Sequence, residues 1–393
     1  MTSTFKVSVV IPIKGRASLF VLTAESLVEQ TYPHWEAVVV DDGSSADEFN
    51  RIAEIAGRDR RIRLMKNPGL RRGASACRNA GLAASRGEYV VFLDSDDALA
   101  PTCLQRRVEV MQSKPNVDFA VFPTRVFHAM PGDTPLFWNQ FTSENDLDRF
   151  LRLDTPWHTS GPIWKKTSLL QNGPWDDRAL CLQDWEFHIR AIAAGLSYIK
   201  VPEPDSFWRA TQAGSITSSW ATRRHVFNRL RLIKRIIAIL RSEGELTRRR
   251  RRILASLFYL AAFHTGLQGQ LFSLTSPLNR RLGLKIWCTG RRTRVVGTLQ
   301  FVAALACEWA WRIQRRGNRS GERFLFPELR LPRTHLRATT STPPEDRSRD
   351  GSEPEKRDPL KRLKEPILRL VKRERQKTIP SLVSSSENKQ QIR

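Results

Sequence analysis

Two apolar, β-branched runs, Val7-Ser8-Val9-Val10-Ile11 and Ala37-Val38-Val39-Val40, flank a segment with helical apolar spacing, and this order constrains the fold more than any other feature of the chain. Runs that lack polar alternation suit strands covered on both faces, as in a parallel sheet. Between them, Ser18 to Gln30 places Leu19, Leu22, Ser26 and Leu27 on one helical face. The alternation continues with a helix over 46–56, a strand over 62–65, a helix over 74–84 and a strand over 89–93. Together these segments predict an α/β fold, a mostly parallel sheet with right-handed crossovers and flanking helices.

In such sheets ligands bind beyond the carboxyl ends of the strands. Three polar clusters fall at those ends: Pro12-Ile13-Lys14-Gly15-Arg16, Asp41-Asp42-Gly43-Ser44 and Asp94-Ser95-Asp96-Asp97. They are expected to meet on one rim. The last puts three carboxylates within four residues, directly after a buried strand. Asp and Ser are also ordinary turn and capping residues, so a plain loop remains open for this cluster and for Asp41 to Ser44. A hard divalent cation, Mg²⁺ or Mn²⁺, gives the carboxylates a chemical purpose, because it takes one or two of them and completes its shell with water and phosphate oxygens. One carboxylate of the Asp41-Asp42 pair is a candidate acceptor for a nucleobase N–H. Arg71 to Asn79 bring basic residues and backbone N–H groups to a helix start, a favourable place for phosphate, or else form a solvated basic loop.

Charge divides the chain. Residues 1–220 carry 25 Lys and Arg against 26 Asp and Glu, whereas 221–393 carry 40 against 14, so the whole formal excess of +25 is C-terminal. There Val226, Leu230, Ile233, Ile237 and Leu240 form an apolar helical stripe among arginines. Arg248 to Arg252 precede the apolar Ile253 to Phe263, and Val295 to Ile313 is apolar between arginine clusters. Gln300 and Glu308 disfavour a spanning helix over 295–313, an acidic group at mid-bilayer costing about 2.5 kcal/mol or more. Basic amphipathic helices of this kind are expected to lie on an anionic membrane surface. From 317 onward Pro, Ser, Glu, Lys and Arg predict a disordered basic tail. The expected domains are therefore 1–220, 221–316 and 317–393. Five dispersed cysteines match neither a disulfide framework nor a zinc site, and Met1 to Lys6 hold no apolar leader, so a reduced cytoplasmic setting without export is expected.

"VSVVIP", "VVVDDGSS", "GASACRNAGLAASRGEYVVFLDSDD" and "QDWEFHIRAIAAG", in this order, resemble the family 2 glycosyltransferases of the GT-A fold over about the first 215 residues. The resemblance implies a Rossmann-like catalytic domain, a nucleotide-diphosphate sugar donor, a divalent cation (Mn²⁺ or Mg²⁺) at the D-x-D motif and inversion at the anomeric carbon. Carried over residue by residue, Pro12 and Asp42 border the base, with Asp42 its hydrogen-bond partner, and Arg72 faces the nucleotide or diphosphate. Asp94 contacts the ribose or the metal shell, Asp96 is the direct metal ligand, and Asp184 is the base that deprotonates the acceptor hydroxyl. Gln183 stands where the family pattern often has Glu. The alternative for Asp184 is a helix cap, with Glu186 as the neighbouring carboxylate. Trp138, Trp157, His158, Trp164 and Trp175 crowd the span between metal motif and base, as acceptor contacts or as core. No Gln-x-x-Arg-Trp motif follows, which favours single addition over polymerisation.

The first strand's loop is too poor in glycine for a sugar nucleotidyltransferase. A nucleic-acid-binding protein is disfavoured because the basic residues alternate with apolar stripes. An inactive glycosyltransferase-like scaffold is the remaining alternative. The expected protein is a metal-assisted glycosyltransferase at the inner face of the cell membrane, acting on a saccharide or lipid-linked acceptor in cell-surface polysaccharide or lipopolysaccharide synthesis.

Overall fold

The computed structural model describes residues 6–210 and 223–267. The expected interfacial helix at 295–313 and the expected tail from 317 lie outside the described residues. The alternating pattern folds as read: β1 (Val7–Ile13), α1 (Ala17–Val28), β2 (Trp35–Asp41), α2 (Ala46–Ala56), β3 (Ile62–Lys66), α3 (Ala74–Ala84) and β4 (Tyr89–Phe92). There follow β5 (Ala98–Leu99), α4 (Cys103–Ser113), β6 (Phe119–Val121), β7 (Thr124–Phe127), α5 (Asp146–Leu151), β8 (Pro162–Lys165), α6 (Lys166–Asn172) and α7 (Gln183–Ala193). The chain continues through β9 (Tyr198–Lys200), β10 (Ser206–Arg209), α8 (Arg223–Ser242) and α9 (Arg248–Leu267).

The large sheet runs β3-β2-β1-β4-β8-β6-β9, parallel from β3 to β4, with β8 antiparallel to both neighbours. A small sheet, β5-β10-β7, adjoins it in sequence directly after β4. Strand order reverses direction at β1, between β2 and β4, and this makes the crevice beyond β1 and β4 the topological switch point where such sheets bind ligands.

Strand alternation sorts the core into two layers. Val7, Val9, Ile11 and Ile13 of β1 face α1 and α2, in a cluster with Phe20, Leu27 and Ile52. Val10 faces the other side, with Leu82 of α3 and a dense aromatic group that includes Trp157, Trp164, Trp175 and Trp185. Gly81 lets α3 lie close on β1, since a Cβ there would stand 2.4 Å from Val10 Cγ1. The same second layer contains Val226, Leu230, Ile233, Ile237 and Leu240 of α8 and Ile253, Leu254, Leu257 and Phe258 of α9. The α8 stripe that was expected to meet a membrane surface is thus covered by the protein's own core. An amphipathic pattern fixes that a face is buried and not what buries it. None of the helices among the described residues is long and apolar enough to cross a membrane.

Candidate functional site

All three polar clusters lie on the rim beyond β1, β2 and β4, which are adjacent strands, Ile13 standing in register with Asp41 and the Leu93 N–H donating to the Val10 carbonyl at 3.0 Å. The Asp41 to Ser45 turn braces its neighbours. Asp41 accepts from the Gly43 N–H at 3.1 Å and from Ser44. Ser44 Oγ in turn accepts from the Gly15 N–H at 2.6 Å, and Glu48 accepts from the Ala17 N–H at 2.7 Å, so donors at the start of α1 are satisfied from the turn before α2 and from α2 itself.

Asp42 is buried, and it ties the loop before α3 to β2. Its Oδ2 accepts from the Gly73 N–H at 2.8 Å and its Oδ1 from the Asn67 amide at 3.1 Å, with Cys77 Sγ 3.6 Å away. Gly73 takes a φ of 107°, the left-handed region open to glycine, and this turns its N–H toward the carboxylate. Pro12 is buried at the end of β1, opposite Val40. Arg72 is exposed on the loop between β3 and α3, while Arg71 reaches Asp177 at 3.9 Å.

The acidic turn after β4 is enclosed by arginines. Arg78, buried on α3, donates to Asp94 Oδ1 at 2.6 Å and lies over the Trp175 ring at 4.7 Å. Arg16, in a left-handed conformation at φ 59°, stands 3.5 Å from Asp96 Oδ2. The Arg209 guanidinium donates to the Asp96 carbonyl and its backbone N–H to Asp97 Oδ1, both at 3.1 Å. Burial opposes ionisation of Asp94, but the charges of Arg78 and His158 outweigh it and hold this carboxyl below the usual range. Asp96 is shifted upward by burial and by the charge of Asp94, against the pull of Arg16. Asp97 is pushed well above the usual carboxylate range, first by burial and then by Asp96 and Asp94.

Asp97 is wholly buried, and its Oδ2 has no hydrogen-bond partner among the described residues. Ligand atoms of Asp94, Asp97 and His158 lie within 4.8 Å of one another. His158 Nδ1 is 3.8 Å from Asp97 Oδ2 and 2.8 Å from Ser160 Oγ. Two carboxylates and an imidazole form a donor set that suits a divalent cation, and a buried orphan carboxylate oxygen is what a ligand would satisfy. The sequence singled out Asp94 and Asp96; the fold instead groups Asp94 with Asp97 and His158, and Asp96 faces Arg16. No local signal joins His158 to a turn so far upstream, whereas Asp97 stood in the acidic run itself.

Asp184 lies in the first turn of α7, partly exposed, and its carboxylate has no hydrogen bond or ion pair among the described residues. Leu182, which precedes the helix, has a φ of 55°, a strained conformation for a branched side chain. α7 reaches the acidic turn through stacked rings, Phe187 on Trp175 at 4.0 Å and Trp175 beneath Arg78. Glu186, the fallback carboxylate, is buried and held by Arg190 at 3.0 Å and Arg235 at 2.8 Å.

Residues 8–165 match the family model described as "Glycosyl transferase family 2". This domain belongs to glycosyl transferase family 2. An uncharacterised glycosyltransferase of Rickettsia felis is 34% identical over 107 residues, 27% of this chain and 17% of that protein. The Escherichia coli UDP-Glc:alpha-D-GlcNAc-diphosphoundecaprenol beta-1,3-glucosyltransferase WfgD is 32% identical over 115 residues, 29% of this chain and 44% of WfgD. The chain therefore spans less than half the length of these relatives. Staphylococcus aureus TarS, residues 1–349 in complex with UDP-GlcNAc, superposes with a TM-score of 0.55 at 16% identity, covering 80% of this chain and 93% of that one. The family 2 domain has the GT-A fold.

Proposed function

We propose that the chain transfers a sugar from a nucleotide-diphosphate donor to a hydroxyl of a glycan or lipid-linked saccharide, with inversion. The observation that carries this reading is the buried Asp97 carboxylate, whose unpartnered Oδ2 faces ligand atoms of Asp94 and His158 at the switch point of the sheet. A divalent cation, Mn²⁺ or Mg²⁺, would be held there by Asp94, Asp97 and His158, with Asp96 beside them. When bound it supplies charge stabilisation to the departing diphosphate.

Pro12 and Asp42 border the base end of the donor. Asp42 keeps acceptor capacity for a base N–H, because a carboxylate oxygen has two lone pairs and Oδ2 accepts one hydrogen bond, from the Gly73 N–H. The exposed Arg72 and the start of α3 suit the diphosphate. Asp184 takes the proton of the acceptor hydroxyl as the new bond forms from its oxygen to the anomeric carbon and the bond to the diphosphate breaks. Among the described residues its carboxylate has no hydrogen bond or ion pair, which leaves it available for that proton. The substrates in WfgD's name favour a UDP-sugar donor and a diphospholipid-linked acceptor, and hence a role in cell-surface polysaccharide or lipopolysaccharide synthesis. The exposed Arg224, Lys234, Arg241, Arg248 and Arg252 suit attachment to an anionic membrane face.

The test is transfer from UDP-glucose, UDP-N-acetylglucosamine or GDP-mannose, with Mn²⁺, to a short-chain lipid diphosphate N-acetylglucosamine. Asp184→Asn should cut turnover by about 10²–10⁴-fold, the usual contribution of a positioned base, while donor binding persists. Full turnover in Asp184→Asn would remove it as the base.

A further inference from the structure

Of the tryptophans between residues 138 and 208, Trp157, Trp164, Trp175 and Trp185 are at most 2% exposed and fill the core. Trp138 and Trp208 differ: both are partly exposed, Trp208 within the small sheet and Trp138 hydrogen-bonded to its edge. Trp208 is on β10, opposite Val126 of β7, and the Trp138 N–H donates to the Thr124 carbonyl at 2.9 Å. Their ring centroids are 4.7 Å apart at 79°, and Trp138 meets the His158 ring edge-on at 4.9 Å. Trp208 lies 6.1 Å from that imidazole, whose Nδ1 is 3.8 Å from Asp97 Oδ2. Trp138 Nε1 donates to Thr155 Oγ1 at 3.3 Å, which fixes that ring. Trp208 Nε1 has no hydrogen bond among the described residues and is not among the enclosed polar atoms, so its donor is open to solvent.

A fixed, part-solvated aromatic pair with a free N–H offers an apolar ring face and a hydrogen-bond donor at one place, the combination that matches a sugar ring with its C–H face and hydroxyls. A lipid tail would need a continuous apolar surface, yet the neighbours here are His158, Thr155, Arg209 and the acidic turn, and none of the exposed large apolar side chains, Val28, Leu70, Leu170 and Phe227, belongs to the group. The pair is also separated from the base end of the donor. Asp42 directly follows β2, two strands from β4, whereas the chain enters the small sheet directly after Asp97, with Phe207 pairing Ala98.

Resting on the transferase reading above, we propose that Trp138 and Trp208 form the platform that receives a sugar ring of the acceptor, with the Trp208 indole N–H donating to one of its hydroxyls. The platform sets which acceptor is used and takes no part in holding the nucleotide.

The experiment is saturation-transfer NMR on the full chain with the methyl glycosides of glucose, galactose, mannose, rhamnose and N-acetylglucosamine, alongside calorimetric titration of UDP and GDP with Mn²⁺. At least one glycoside should bind saturably. Trp208→Ala should weaken it tenfold or more and Trp208→Phe by less, with nucleotide affinity unchanged in both. Trp138→Ala repeats the test and decides it if Trp208→Ala fails to fold, as loss of nucleotide binding would reveal. Equal glycoside binding in folded variants and wild type, or no saturable glycoside, overturns the platform. If nucleotide binds while the glycosides do not, only the platform fails. If the glycosides bind through the tryptophans while no nucleotide binds, the platform stands and the transferase reading fails.

Discussion

His188 should make the stability of this protein depend on pH in a way that one substitution removes. It lies on α7, 1% exposed, stacked against Phe150 at 5.5 Å and Trp164 at 5.9 Å, and its Nδ1 has no hydrogen-bond partner among the described residues. Burial, aided by the charges of His158 and Arg78 and opposed by the Asp184 backbone, lowers its pKa from 6.5 to about 3. A histidine whose folded pKa lies below its unfolded value takes up a proton on unfolding. Its contribution is therefore full above pH 6.5 and is lost as pH falls from there toward 3. At pH 5 the unfolded chain gains about 2 kcal/mol, from 1.5 pH units at about 1.36 kcal/mol each. Phenylalanine fits the aromatic setting and has no proton to gain. Urea unfolding at pH 7.5 and pH 5 should show the wild type losing about 2 kcal/mol more than His188→Phe. The same loss in both proteins would refute the reasoning, because the other titrating groups are common to the two.

Two further outcomes follow from buried charge. Arg107 makes a bidentate pair with Asp205, at 2.8 and 2.6 Å with both side chains at most 1% exposed; Arg107→Met strands that carboxylate and should cost about 3–5 kcal/mol in denaturant unfolding. Asp97→Asn removes a carboxyl that burial and its acidic neighbours disfavour, so in EDTA at pH 7 it should raise Tm by about 2–4 °C per kcal/mol relieved, while abolishing any stabilisation by Mn²⁺ and nucleotide.

The strand–helix alternation was legible because its signals are local. α2 and α3 span the residues that the sequence indicated, Ser45 capping α2 through the Glu48 N–H at 3.3 Å; β1, β2 and β3 extend one or two residues beyond their apolar runs, and β4 stops one residue short of its own. That three polar clusters share a rim also followed, since parallel strands put their carboxyl ends on one side. What lay beyond the sequence was long-range pairing. Asp97 with His158, and Arg209 with the acidic turn, join residues whose meeting depends on the antiparallel insertion of β8 and the return of β10. The tryptophans show the same limit: composition marked them as a group, and only packing separates core rings such as Trp164 from the partly exposed Trp138 and Trp208. The α8 stripe was read as an apolar face for a membrane surface, and in the fold its cover is the second core layer.

The most direct test of the central claim is calorimetric titration of UDP, GDP, dTDP and CMP into the full chain, first with Mn²⁺ and then with EDTA, in the wild type and in Asp97→Asn. The account predicts that one nucleoside diphosphate binds the wild type with Mn²⁺, and that binding weakens at least tenfold in EDTA and in Asp97→Asn. Tight binding indifferent to EDTA and to the substitution would contradict a metal site at Asp94, Asp97 and His158, and no binding of any nucleotide to the folded protein would contradict the transferase itself.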